Sequence, residues 1–127
     1  MKKIIPSSGS FPLSHAIVHD HRYTMELSWY IGIDPQSGEL EEGIEKQTAR
    51  ILEIIKNTLE KVGWKMSDIT KAQIFLTDMK DYGKMNEVYT WYLDWVYPTR
   101  FALAVKELPR WALIEIECTA TNETIHP

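Results

Sequence analysis

A chain of 127 residues amounts to one domain and is long enough to bury a core. Eighteen acidic side chains against fourteen basic ones give a formal net charge of −4, which argues against a basic nucleic-acid groove. No apolar run approaches the roughly 18 residues a membrane span needs, Met1–Pro6 is too short for a signal peptide, and a lone cysteine, Cys118, excludes an intrachain disulfide. A single cytoplasmic domain over 1–127, with neither membrane nor nucleic acid as partner, is therefore expected.

Residues 1–15 carry Pro6, Ser7, Ser8, Gly9, Ser10 and Pro12, a loop composition. From Ala16 to Ile33 two strands are expected around the polar turn His19-Asp20-His21-Arg22. Tyr23, Met25, Leu27 and Trp29 alternate there with Thr24, Glu26 and Ser28. Pro35 and Gly38 then punctuate a turn. Helical spacing over 43–62 puts Ile44, Ala49 or Arg50, Ile51, Ile54, Ile55, Leu59 and Val62 on one face and Glu, Lys and Gln on the other. Gly63 closes that helix, and Glu41, Glu42 and Glu45 suit the dipole at its start. Ile69–Leu76 is short and apolar, a strand. Asp81–Trp95 is a second helix rich in aromatics and stopped at Tyr97-Pro98. Strands near 100–106 and 112–120 complete the chain as a hairpin.

This order predicts an α+β fold, a mixed sheet with two helices packed on one face. Nothing in the chain is left to cover the other face. Five tryptophans and six tyrosines suggest that a second copy covers it, since aromatics are enriched at interfaces.

The last third carries the chemistry. Arg100 follows Pro98 at the mouth of one strand, and Glu115 sits in an otherwise apolar run. A guanidinium offers a planar donor fork that matches a carboxylate. A carboxylate among apolar residues is paired or functional, because an unpaired buried charge is expensive. The two residues read either as a small anion site or as a structural ion pair.

Several stretches resemble the RidA/YjgF family, also called endoribonuclease L-PSP-like proteins. They are Asp68-Ile-Thr-Lys-Ala-Gln-Ile-Phe-Leu-Thr-Asp-Met-Lys-Asp-Tyr82, Met85-Asn-Glu-Val-Tyr89, and Pro98-Thr-Arg-Phe-x-Leu103 running on to Lys106, Leu108 and Ile114-Glu-Ile116. Asp34-Pro-Gln-Ser-Gly38 and Gln47-Thr-x-x-x-Leu52 agree as well. The resemblance implies a chorismate-mutase-like fold assembled as a homotrimer with clefts between subunits, and places the central strand between the last two, against the hairpin. It implies hydrolysis of short-lived enamines and imines, such as 2-aminoacrylate and its imine tautomer, to 2-keto acids and ammonia. No metal or organic cofactor is required.

By the same resemblance the essential arginine falls on Arg100, a water-orienting glutamate on Glu115, a pocket asparagine on Asn86, and a serine on Ser28. Arg100 would grip a substrate carboxylate and Glu115 would move a proton. The pattern breaks where deaminating members carry Pro-Tyr-Ser-Gln-Ala, here Pro12-Leu-Ser-His-Ala16. Leu13 replaces the pocket tyrosine, and His15 the glutamine. Ser-Gly-Gln is here Ser28-Trp-Tyr30, so Trp29 and Tyr30 would offer an aromatic wall, and Ala102 stands for a common cysteine. These departures leave two readings, a deaminase with an altered substrate or a non-catalytic protein that binds small carboxylates. RNA cleavage, associated with some relatives, fits poorly with the acidic balance.

His19-x-His21 lacks a third ligand at metal-site spacing and reads as a solvated turn. Cys118 reads as a buried, inert thiol. The row Tyr89, Tyr92 and Trp95 reads as helix core.

Overall fold

The computed structural model describes residues 1–126. Its elements are β1 (Lys2–Pro6), β2 (Ser14–His19), β3 (Tyr23–Glu26), α1 (Gly43–Glu60), β4 (Ile69–Leu76), α2 (Tyr82–Leu93), β5 (Thr99–Ala104) and β6 (Ile114–Asn122). A four-stranded mixed sheet has the order β3-β6-β4-β5. β4 pairs with β5 in parallel and with β6 antiparallel, and β3 pairs antiparallel with β6. The hairpin expected of the last two strands is replaced by this arrangement, as the family resemblance implied. α2 is the crossover a parallel pair needs.

Period two decides the two faces. Ala72, Ile74 and Leu76 of β4 and Ile114, Ile116, Cys118 and Ala120 of β6 are buried beneath the helices. α1 meets them with Ile44, Ile51, Leu52, Ile55 and Leu59, and α2 with Met85, Tyr89 and Leu93. Each aliphatic side chain removed from water in this way contributes roughly 1.5–3 kcal/mol. α1 ends as its glycine predicts: Gly63 takes φ 78°, its N–H donates to Glu60 O at 3.0 Å, and the Trp64 N–H reaches Leu59 O at 3.0 Å.

Four expectations are corrected. First, Lys2–Pro6 is not loop but a strand, with Lys3, Ile4 and Ile5 opposite Val18, Ile17 and Ala16. Pro6 falls at its end, where the register shifts and no ladder donor is needed. Second, Leu27–Ile33 is not strand; only Tyr30 bridges to Ile116, and Ile33 to Leu40. Third, Gln47 is buried rather than on the outer face. Its amide donates to Glu41 O at 3.0 Å and accepts the Leu113 N–H at 2.8 Å, clasping the start of α1 to the chain entering β6. Fourth, α2 stops at Leu93, because Asp94 (φ 50°) and Trp95 (φ 65°) turn left-handed. The expected core row of Tyr89, Tyr92 and Trp95 therefore loses its last member: Tyr89 is buried, Tyr92 packs partly buried against the core while donating to Glu53, and Trp95 is exposed.

The face away from the helices is not bare either. The β1–β2 hairpin stands beside it, and Ile17 and His19 enclose a cavity of about 340 Å³ with Thr24, Glu26, Lys71, Thr99, Thr119 and Thr121. The Ser14 N–H donates to Pro98 O at 3.0 Å and the Ser14 hydroxyl to Tyr97 O, tying the hairpin to the entry of β5.

Candidate functional site

Arg100 is the second residue of β5, level with Ala72 of β4, which is itself level with Cys118 of β6. That row faces the helices, so the guanidinium lies against α2. Tyr82, Asn86 and Tyr89 are spaced i, i+4 and i+7 and share one helix face. Nη1 donates to Asn86 Oδ1 at 2.8 Å and Nη2 to the Tyr82 hydroxyl at 2.8 Å. The guanidinium carbon lies 5.0 Å from the Tyr89 ring centre and 5.6 Å from that of Tyr82, within cation–π range. The cation is fixed by neutral partners, with no carboxylate paired to it among the described residues. Nε is buried without a partner, as are the hydroxyls of Tyr89 and Tyr97.

Glu115 lies level with Phe75, and Phe75 with Leu103, on the opposite face of the sheet. Phe75 stacks on Trp29 (centroids 5.2 Å apart) and meets Phe101 edge-on at 5.6 Å. Trp29 (54% exposed), Phe101 and Leu103 leave apolar surface beside the carboxylate. Glu115 itself is 9% exposed and has no hydrogen-bond partner among the described residues. Burial, and secondarily Glu117, push its pKa up. A carboxyl raised in this way suits proton transfer nearer neutral pH.

Arg100 and Glu115 therefore do not meet within one chain. They form no ion pair within the chain, and a site containing both would take them from two copies.

Of the other candidates, Asn86 binds Arg100, and Ala102 lies two residues along the same face, level with Ile74. Trp29 belongs with Glu115 instead. Tyr30 bridges to Ile116 and packs partly buried against the core, so it forms no wall with Trp29. Leu13 lines a cavity of about 330 Å³ that also includes Phe11, Trp95 and Tyr97. His15 and Ser28 are exposed, without side-chain hydrogen bonds among the described residues. The His19 and His21 rings stand 5.5 Å apart, and His21 Nδ1 is engaged by Thr121 Oγ1 at 3.0 Å. No group of three metal-ligating side chains occurs among the described residues. Cys118 is buried, and burial pushes its thiol up to about 12.

Tyr82 was missed from sequence, although its spacing from Asn86 was available as a signal. Phe11 was missed too. Its ring meets Tyr82 edge-on at 5.5 Å, a contact that sequence spacing does not reveal.

A mixed sheet backed by two helices, with a guanidinium anchored by neutral partners at its parallel edge, defines a small α+β protein. The family model described as Endoribonuclease L-PSP matches residues 6–122, and the chain belongs to this RidA/YjgF family. It is 46% identical over 98 residues to a RutC family protein, PH0854, of Pyrococcus horikoshii, covering 76% of this chain and 78% of that one. It is 34% identical over 112 residues to the 2-iminobutanoate/2-iminopropanoate deaminase of Mus musculus, covering 87% and 82%. The crystal structure of E. coli TdcF with bound serine matches with a TM-score of 0.75 at 29% identity, covering 94% of this chain and 93% of that one. No helix among the described residues is long and apolar enough to cross a membrane.

Proposed function

We propose that this protein is an imine deaminase. It hydrolyses small 2-imino acids to 2-keto acids and ammonia in clefts between the subunits of a cytoplasmic homotrimer. The observation that carries this reading is the Arg100 guanidinium, held by Asn86 and Tyr82 with N–H donors to spare and no counter-charge among the described residues. The identity shared with a 2-iminobutanoate/2-iminopropanoate deaminase supports small 2-imino acids as the substrate class. Serine in the related E. coli structure is a ligand of similar size carrying a carboxylate.

Arg100 takes the substrate carboxylate on its remaining N–H groups and so holds the imine carbon in place. Glu115 of a neighbouring subunit accepts a proton from water as the water oxygen bonds to that carbon. Glu115 passes that proton to the imine nitrogen, giving a neutral carbinolamine. Collapse then moves the carbinolamine hydroxyl proton through the Glu115 carboxylate to the departing nitrogen, breaks the C–N bond, forms the keto C=O and releases ammonia. The reaction consumes one water and involves no redox change, so the residues need supply only positioning and proton transfer. Exposed Trp29, Phe101 and Leu103 beside Glu115 are suited to the subunit boundary this scheme requires.

Leu13 in place of the pocket tyrosine, and Trp29 standing exposed beside Glu115, favour a second reading, a protein that binds 2-keto acids without turning over their imines. The test is to generate 2-aminoacrylate in solution and follow pyruvate. Acceleration by the wild-type protein, reduced at least a hundredfold in Arg100→Ala, is expected. Thermal stabilisation by 2-ketobutyrate without acceleration selects the binding protein. An undiminished rate in Arg100→Ala overturns the site altogether.

A further inference from the structure

Leu13 removes the phenol that the family resemblance places in the pocket, but α2 supplies another. We infer that Tyr82 is a ligand-contacting residue, donating its O–H to the carboxylate held at Arg100. This rests on the anion-site reading above and adds to it a residue that the sequence motifs did not single out.

The argument is one of donors and acceptors. A guanidinium only donates, so the Tyr82 oxygen, 2.8 Å from Nη2, is an acceptor there and its own proton must point elsewhere. No acceptor for that proton exists among the described residues. Asn86 is constrained likewise: with Oδ1 taken by Nη1 at 2.8 Å, its amide N–H groups are left over. Three donor groups, the unspent guanidinium N–H, the Asn86 amide and the Tyr82 hydroxyl, therefore lie around one cation, and the two neutral oxygens that could repel an anion are already spent on it. Such a set accepts a carboxylate with two or three charge-assisted bonds. Tyr82 is half-buried, opens α2, and is braced edge-on by Phe11 at 5.5 Å, so its hydroxyl position is defined before a ligand arrives. Phe11, 56% exposed, also offers apolar surface at this site.

Calorimetric titration of the intact protein with 2-ketobutyrate tests the assignment, beside the rate of pyruvate formation from 2-aminoacrylate. Tyr82→Phe is expected to raise Kd and KM on the order of tenfold, with kcat changed less than KM. Tyr82→Phe removes only the hydroxyl and keeps the ring against Phe11, so packing is retained. The structure of the wild-type protein with bound 2-ketobutyrate should place a carboxylate oxygen at hydrogen-bond distance, about 3 Å, from the Tyr82 hydroxyl; a tyrosine that only braced Arg100 would leave that oxygen out of reach. Unaltered Kd in Tyr82→Phe, or a bound carboxylate beyond hydrogen-bond distance of the hydroxyl, overturns the assignment while Arg100→Ala still abolishes binding. Wild-type binding in Arg100→Ala overturns the anion site, and Tyr82 with it.

Discussion

Arg100 and Glu115 stand three residues out of step across β4: Arg100 is level with Ala72 and Glu115 with Phe75, so their side chains leave opposite faces of one sheet. An active cleft that uses both must take one from each of two subunits. Arg100→Ala and Glu115→Gln proteins, each inactive alone, should therefore recover activity when unfolded together and reassembled. In an equal mixture about one cleft in four receives both intact residues by random assortment in a closed ring. Recovery near a quarter of the wild-type rate is expected. No recovery from mixed oligomers whose composition has been verified would place both residues in one subunit's cleft and contradict this geometry.

Glu115 should also leave a mark on stability. Burial raises its pKa above that of the unfolded chain, with Glu117 adding to the effect. The folded state then binds the proton more tightly than the unfolded one. Stability from this group is full below the ordinary glutamate range, near 4.3, and is lost as pH rises through the folded value. Glu115→Gln stays neutral and escapes that loss. Denaturant midpoints of the two proteins should agree near pH 4, with the variant more stable at pH 7 by about 1.4 kcal/mol for each unit of the shift. A wild type that is instead the more stable at pH 7 would mean that a cation meets the carboxylate in the assembly.

Cys118 sits in the row of Arg100 and Ala72, 3% exposed, with its thiol pushed up to about 12 by burial. Thiolate is the reactive form, and almost none exists at neutral pH. An aromatic disulfide reagent at pH 8 should label the native protein no faster than the chain opens, and label it fully in guanidinium. Rapid stoichiometric labelling of the folded protein would show a channel to the thiol from the Arg100 side.

What could be read in advance follows from range. α1 was legible because its apolar residues repeat locally and Gly63 closes it. β4 was legible as a short, mainly apolar run from Ile69 to Leu76, with Thr70 and Gln73 interspersed. Gln47 was misjudged because its burial depends on Leu113, 66 residues away. Lys2–Pro6 was misjudged because its partner strand gives it its form. Arg100 and Glu115 could be chosen by chemical type. Their opposite faces could not, since parity across β4 exists only once β5 and β6 are in register on either side of it. Tyr82 belongs to the same class: the helix spacing was visible, but the strand it faces was not.

Gly32 supplies a test of packing independent of the chemistry. A Cβ there would stand 2.7 Å from both Cα and the carbonyl oxygen of Gln47, backbone atoms of α1 that cannot rotate away. The Gln47 clasp to Glu41 and Leu113 depends on that same turn of helix. Gly32→Ala should therefore cost about 1–3 kcal/mol, the range for overpacking, read as a lower denaturant midpoint with unchanged slope. Gly83, in the first turn of α2, has nothing within 4 Å of an added Cβ. Gly83→Ala should stabilise by a few tenths to about 1 kcal/mol through the lost freedom of the unfolded chain. Opposite signs from one chemical change at two glycines are the expected result. A tolerated Gly32→Ala would mean that the approach of residues 31–33 to α1 is looser than the 2.7 Å contact requires.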